Sequence, residues 1–238
     1  MKIEEISEDT MTITYDDIVS EKNSQRLISL LKSFQSMQLD GIIDYSISYT
    51  KLMIYYEPMI LESSDIEKSI RKINADDSYT SIKNKRIIEI PVCYDDEFGL
   101  DLNSYYKKGL TKEEIQLLHS EREYYVYMIG FLPGFPYLNG VNDKLIMARK
   151  ETPRTRIPKG SVGIAGSQTG FYTSSSPGGW NIIGRTPLKI GIENDSFNVP
   201  YRAGDYIKFT PINRAKFDEI EHQIDQDTFE LNIEERGF

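Results

Sequence analysis

Between Pro153 and Gly170 the chain reads PRTRIPKGSVGIAGSQTG, setting Arg154, Arg156 and Lys159 beside a glycine-rich run. Guanidinium forks suit carboxylate or phosphate, and glycines let backbone N–H groups approach an anion closely. The stretch is neither a Walker A loop nor a G-x-G-x-x-G turn. Two readings stand: an anion site, or a solvated basic turn leading into a glycine-rich barrel corner. A second stretch, GFLPGFPYLNG from Gly130 to Gly140, places Phe131, Phe135 and Tyr137 among glycines and prolines. So stiff an aromatic loop could wall a small-molecule cleft. It could equally plug the end of a barrel, the commoner fate of aromatic side chains.

A third stretch, TSSSPGGW, ends on the chain's single tryptophan, Trp180, after Pro177, Gly178 and Gly179. Three serines beside glycines raise the idea of an amidase nucleophile, which needs a base within hydrogen-bond reach. The chain has two histidines, His119 and His222, and no G-x-S-x-G elbow. A serine-rich turn is the simpler account. His119 falls near the end of a helical pattern, where it could cap carbonyls and meet the helix dipole. A general-base role is the other reading. His222 lies in a charged terminal helix and reads as exposed.

These residues need elements to hold them. Up to about residue 85 the chain has one glycine, Gly41, and one proline, Pro58. TMTITYD alternates as a half-buried strand, and NSQRLISLLKSFQSM carries Leu27, Leu30, Leu31 and Phe34 at helical spacing. IIDYSISYT and KLMIYYEP read as strands joined near Thr50 and Lys51. SSDIEKSIRKI reads as a capped helix and KRIIEIPV as a further strand. The order βαββαβ predicts a ferredoxin-like α+β domain over 1–85. From 86 to 212, glycine and proline punctuate short apolar segments (YYVYMIGF, SVGIAG, PLKIGI, DYIKFT), the signature of a β-barrel or sandwich. One helix interrupts it, LTKEEIQLLHS, with Thr111 and Glu114 at capping-box spacing. Residues 213–238 read as a charged surface helix followed by a mobile tail.

Composition narrows the function. A net charge of −9 over 238 residues argues against nucleic acid or an anionic membrane surface. Cys93 is the one cysteine, so no intrachain disulfide is possible, and no Cys/His cluster has zinc spacing. MKIEEISEDT has no apolar core of a secretory signal, and no apolar run approaches the roughly 18 residues of a membrane helix. A reducing cytoplasm is the expected compartment.

Taken in order, YYVYMIGFLPGFPYL, ETPRTRIPKGSVGIAGSQTGFY, SPGGWNIIGRTP and RAGDYIKF resemble the B-subunit family of the ATP-dependent bacterial 5-oxoprolinase. That family is also called allophanate hydrolase subunit 1 and includes an inhibitor of a sporulation histidine kinase. The resemblance is strong from Cys93 to Phe209 and takes in CYDDEFGLDL and LLHS. It implies a ferredoxin-like domain followed by a cyclophilin-like β-barrel. It also implies two partners, the A and C components of 5-oxoprolinase, of the lactam-utilisation and carboxyltransferase-like types. The implied reaction opens the lactam of 5-oxoproline to glutamate with ATP, with Mg but neither bound metal nor biotin in this chain. On that resemblance His119, Arg154 and Gln168 are the catalytic candidates. Arg156, Tyr172, Pro177, Gly178, Gly179, Trp180 and Arg185 are the candidates for binding substrate or nucleotide. The alternative is a regulatory protein that docks on a sensor histidine kinase. Many members carry Tyr-Pro where this chain has Tyr172–Thr173, which implies a looser loop here.

Overall fold

Period-two alternation sends Met11 and Ile13 to one side of a strand and Leu52, Ile54 and Tyr56 to the same side of another, so two helices are needed to cover them. The computed structural model describes residues 1–75, 84–193 and 196–237 and divides into a unit of residues 1–84 and a unit of residues 85–237. The first unit runs β1 (Lys2–Ser7), β2 (Thr10–Thr14), α1 (Glu21–Gln35), β3 (Ile42–Ile47), β4 (Lys51–Tyr56) and α2 (Ser63–Ala75). Its antiparallel sheet has the order β1-β2-β4-β3. Leu27, Leu30 and Phe34 of α1 and Ile66 and Ile70 of α2 pack on the apolar face of that sheet. Ser20 starts α1 by accepting from the Asn23 N–H at 3.2 Å.

The second unit runs β5 (Asn84–Cys93), α3 (Leu102–Tyr106), α4 (Lys112–Ser120), β6 (Glu123–Ile129), β7 (Pro136–Asn139), β8 (Arg154–Ile157), β9 (Ser161–Ala165) and β10 (Gln168–Phe171). It continues with β11 (Ser176–Gly178), β12 (Asn181–Arg185), β13 (Gly191–Glu193), β14 (Ser196–Asn198), β15 (Tyr206–Ile212), α5 (Arg214–Asp225) and β16 (Ile233–Gly237). Seven strands in the order β12-β9-β10-β7-β6-β15-β5 form a barrel, closed where Arg185 of β12 meets Cys93 of β5. β5 and β15 are parallel, from Ile87↔Tyr206 to Cys93↔Ile212. Ile88, Ile90, Val126, Ile164, Phe171 and Phe209 are among the side chains that fill the interior. The expected capping box of α4 is present: Thr111 accepts from the Glu114 N–H, and the Glu114 carboxylate accepts from the Thr111 N–H.

The α+β class stands as expected, with two changes in detail. KRIIEIPV is not the last strand of the first unit. As β5 it joins the barrel, while Lys2–Ser7 supplies the fourth strand of the first sheet. The reason is burial: from Ile87 to Cys93 only Glu89 is incompletely buried. A strand covered on both faces belongs in an enclosed, parallel setting. The tail after α5 is not loose either. β16 lies beside β5, and the Glu89 N–H donates to the Asn232 carbonyl at 3.1 Å. It covers a stretch of edge that would otherwise offer bare backbone groups. Among the described residues, no helix is long and apolar enough to cross a membrane.

Candidate functional site

Asp101, just before α3, is 3% exposed and is held by two cations. Arg154 donates to it with both ends of its fork, Nη1 to Oδ2 at 2.9 Å and Nη2 to Oδ1 at 2.8 Å. Lys150 Nζ lies 2.6 Å from Oδ1, and the Ile182 N–H donates to Oδ2 at 2.7 Å. Burial pushes this carboxyl toward the neutral form, but the bonds from Arg154, Lys150 and Ile182 outweigh it and hold its pKa below the usual range. The fork that the sequence left open as an anion site therefore already clasps an anion of the chain itself. Its geometry ties β8 to the start of α3 and to β12.

Next to this hub lies an aromatic layer on the outer face of the barrel. Phe135 stands edge-on to Tyr172 (5.4 Å) and to Trp180 (5.2 Å), and Tyr137 lies 6.1 Å from Trp180. The rings can lie against the sheet because β10 has a glycine beneath them. A Cβ on Gly170 would stand 2.5 Å from the Pro136 carbonyl oxygen and 3.3 Å from the Phe135 ring. Trp180 and Tyr172 are buried, so the lone indole is a core residue of this layer. Burial drives the Tyr172 phenol up to about 12, against the backbone N–H of Trp180, which favours the phenolate. Gly178 sits opposite Arg154 in the β8–β11 ribbon and close over the Tyr172 hydroxyl. Gly179 accepts from the Lys150 N–H at 2.8 Å, and Pro177 is exposed on the same ribbon. Phe131 is the exposed edge of the layer: it stands edge-on to Phe135 at 5.6 Å, is 62% exposed and has φ +68°. Such a backbone angle is rare for a bulky side chain and marks a constrained loop.

His119 lies in a different place, inside the barrel. It is fully buried and stacked on Phe209 at 4.4 Å. The Thr169 hydroxyl donates to the Gly163 carbonyl at 3.0 Å, so it accepts from His119 Nε2–H at 2.8 Å. His119 Nδ1 is then the acceptor for the Tyr94 hydroxyl at 2.7 Å. Desolvation holds the ring neutral, with a pKa lowered to about 3. Both nitrogens are engaged and neither reaches a surface, so this geometry gives the general-base idea no route to substrate. The ring caps no helix carbonyl either; it is a polar brace in the core. Gln168 begins β10 at the far end of the β9–β10 hairpin from Tyr172. Arg156 is exposed and donates to Ser175 Oγ at 3.1 Å. Ser175 in turn donates to the Ile157 carbonyl at 3.2 Å, and Ser176 to the Pro177 carbonyl, the behaviour of turn serines.

Arg185 stands apart from Arg154. It lies at the end of β12, opposite Ser161 on one side and Cys93 on the other, with its guanidinium 4.9 Å from the Phe98 ring centroid. Of the residues singled out in the sequence, the structure thus gathers Arg154, Tyr172, Gly178, Gly179 and Trp180 and places His119 and Gln168 elsewhere, while Arg185 faces Ser161, whose carbonyl accepts from the Tyr172 N–H at 2.9 Å. Sequence reading missed Asp101 and Lys150. An aspartate set between two leucines, in GLDL, was the available signal. Among the described residues no three His, Cys, Asp or Glu groups gather to hold a metal ion. A cavity of about 370 Å³, walled by Leu188, Ile190, Pro200, Ile224 and Phe229, takes in none of these residues.

The ordered glycine-rich barrel corner and the unit before it define a class. Residues 1–196 match the family model "Carboxyltransferase domain, subdomain C and D". The 5-oxoprolinase B subunit of Bacillus subtilis is 35% identical over 231 residues, 91% of this chain and 95% of that protein. The 5-oxoprolinase B subunit of Haemophilus influenzae is 36% identical over 210 residues, 88% and 97% of the two chains. The crystal structure of TTHA0988 superposes with a TM-score of 0.76 at 30% identity, over 86% of this chain and 40% of that one. The chain belongs to the 5-oxoprolinase B-subunit family within the carboxyltransferase C–D class.

Proposed function

We propose that the chain acts as the B subunit of a 5-oxoprolinase and, with the other subunits, couples ATP hydrolysis to opening of the 5-oxoproline lactam, giving glutamate. The observation that carries this is near-full-length identity, at 35%, to a 5-oxoprolinase B subunit. An amide is resonance-stabilised and its nitrogen leaves poorly, so water needs a better electrophile; a phosphoryl group from ATP on the lactam oxygen would provide one. Such a step asks for fixed cations and a shaped cleft. The A and C components, of the lactam-utilisation and carboxyltransferase-like types, complete the enzyme in this reading. Arg154 serves it as a positioning residue, locked on Asp101 beneath the β8–β11 ribbon. The aromatic layer gives a rigid wall, and Phe131 is its exposed ring. The nucleotide is a co-substrate of the assembly, and Arg185 is this chain's best-placed cation for an anionic group. Co-expression of the three chains, with glutamate release from 5-oxoproline measured with and without ATP, tests the proposal. ATP-dependent release that disappears when this chain is omitted is expected. No release, together with sub-micromolar binding to a histidine-kinase dimerisation domain, would overturn it.

A further inference from the structure

We propose that the turn from Lys159 to Ser161, together with Arg185, forms an oxyanion-binding corner that takes the phosphate or carboxylate group of a small-molecule substrate. The contrast with Arg154 is the starting point. Arg154 has its fork filled by Asp101, whereas Arg185 Nε is buried and has no hydrogen-bond partner within the protein. Ser161 Oγ, on the residue directly opposite Arg185 in the β9–β12 ladder, is likewise buried and without a partner. Directly opposed residues share a face of the sheet. One barrel wall therefore presents a donor-only N–H and a hydroxyl side by side, and each costs free energy while unpaired. An oxyanion accepts from both.

The turn before Ser161 packs closely on β12, and its Gly160 N–H donates to the Tyr172 carbonyl at 2.7 Å. The Ser161 N–H donates to the Pro158 carbonyl at 3.3 Å, and Gly160 has φ +80°. A Cβ there would stand 2.5 Å from the Thr186 carbonyl oxygen and 3.2 Å from Arg185 Cγ, so only glycine lets the turn rest against β12. Charge supports the same corner. Burial lowers the Lys159 pKa, and Lys189 nearby lowers it further. Burial also lowers that of Arg185, opposed by Glu221 and Glu97 and aided by Arg214. Burial thus weakens both cations, and a bound negative charge would strengthen them. The Phe98 ring under the guanidinium limits its swing.

The corner deepens the 5-oxoprolinase reading, which offers two sources of one chemistry: phosphate groups from ATP, or the 5-oxoproline carboxylate. Titration calorimetry of the full chain with inorganic phosphate, and separately with 5-oxoproline, at constant ionic strength, tests it. Saturable binding of at least one is expected, with the stronger of the two naming the source. Affinity should fall about tenfold or more in Arg185→Gln, and measurably in Ser161→Ala, as lost charge-assisted bonds require. Ser161→Ala is the milder change and decides the matter if Arg185→Gln fails to fold. Absence of saturable binding of both anions to the native chain, or undiminished binding in Ser161→Ala, overturns the corner. Turnover by the three-chain complex without anion binding here would sink the corner alone; binding without turnover would sink the enzymatic reading alone.

Discussion

Buried beneath Phe209, with Tyr94 donating to one ring nitrogen and Thr169 accepting from the other, His119 stays uncharged at a pH where a free histidine takes a proton. Its folded pKa is lowered, so acid favours the unfolded chain, which binds the extra proton. The stability it contributes is complete above about pH 6.5 and drains away as pH falls toward about 3. Below about pH 5.5, urea denaturation should show stability falling by about 1.4 kcal/mol per pH unit, close to the full slope of this one ring. His119→Gln should remove that slope while lowering stability at pH 7. A slope that persists in the variant would assign it to other groups. At Asp101 the expected cost is larger. Asp101→Ala strands two cations and the Ile182 N–H, and should destabilise by about 3–5 kcal/mol. Arg154→Ala should likewise lower the melting temperature, because the partner it leaves is buried. Cations and aromatics were legible as residue types. Which cation had a carboxylate waiting was not, because Asp101 lies 53 positions from Arg154 and no local pattern joins them.

Strands β9 and β10 show how an element makes room for a site. Gly170→Ala should overpack the aromatic layer and cost about 1–3 kcal/mol. Because Trp180 is the only indole and lies 5.2 Å from Phe135, its emission should shift in the same variant. An unchanged spectrum would mean that the Gly170 contact does not position the rings. Phe131 calls for the opposite expectation. Phe131→Gly removes an exposed ring and relieves a left-handed backbone angle, so stability should change by less than about 1 kcal/mol. In the reconstituted enzyme, a drop in activity with unchanged stability would place the ring in a cleft or against a partner. Helices α1, α2 and α4 were readable because caps and 3.6-residue stripes are local signals. The β8–β11 ribbon was not, since strands of three and four residues among glycines and serines leave hardly any period to read.

At the scale of the molecule, the chain divides into a unit of residues 1–84 and a unit of residues 85–237, and the strand at the junction was read into the wrong sheet. KRIIEIPV has the composition of a strand in either place, and only its distant partner decides. Removing residues 228–238 should leave the barrel closed by β12, but bare part of the β5 edge and unpack Phe229 and Leu231. We expect a loss of about 2–3 kcal/mol, with oligomers on size-exclusion chromatography after mild heating. A monomeric, equally stable truncation would show that β16 is dispensable. The parallel pairing of β5 with β15 also sets a timetable for the ribosome. β5 emerges early, but its partners β12, β15 and β16 are the last strands of the barrel to leave the exit tunnel. At about 5–20 residues per second, a nascent β5 waits on the order of ten seconds for β15, with Ile87, Ile88 and Ile90 uncovered. A chaperone that holds nascent chains should therefore be found on this protein during translation, bound after the first unit has folded and released once residue 212 is clear.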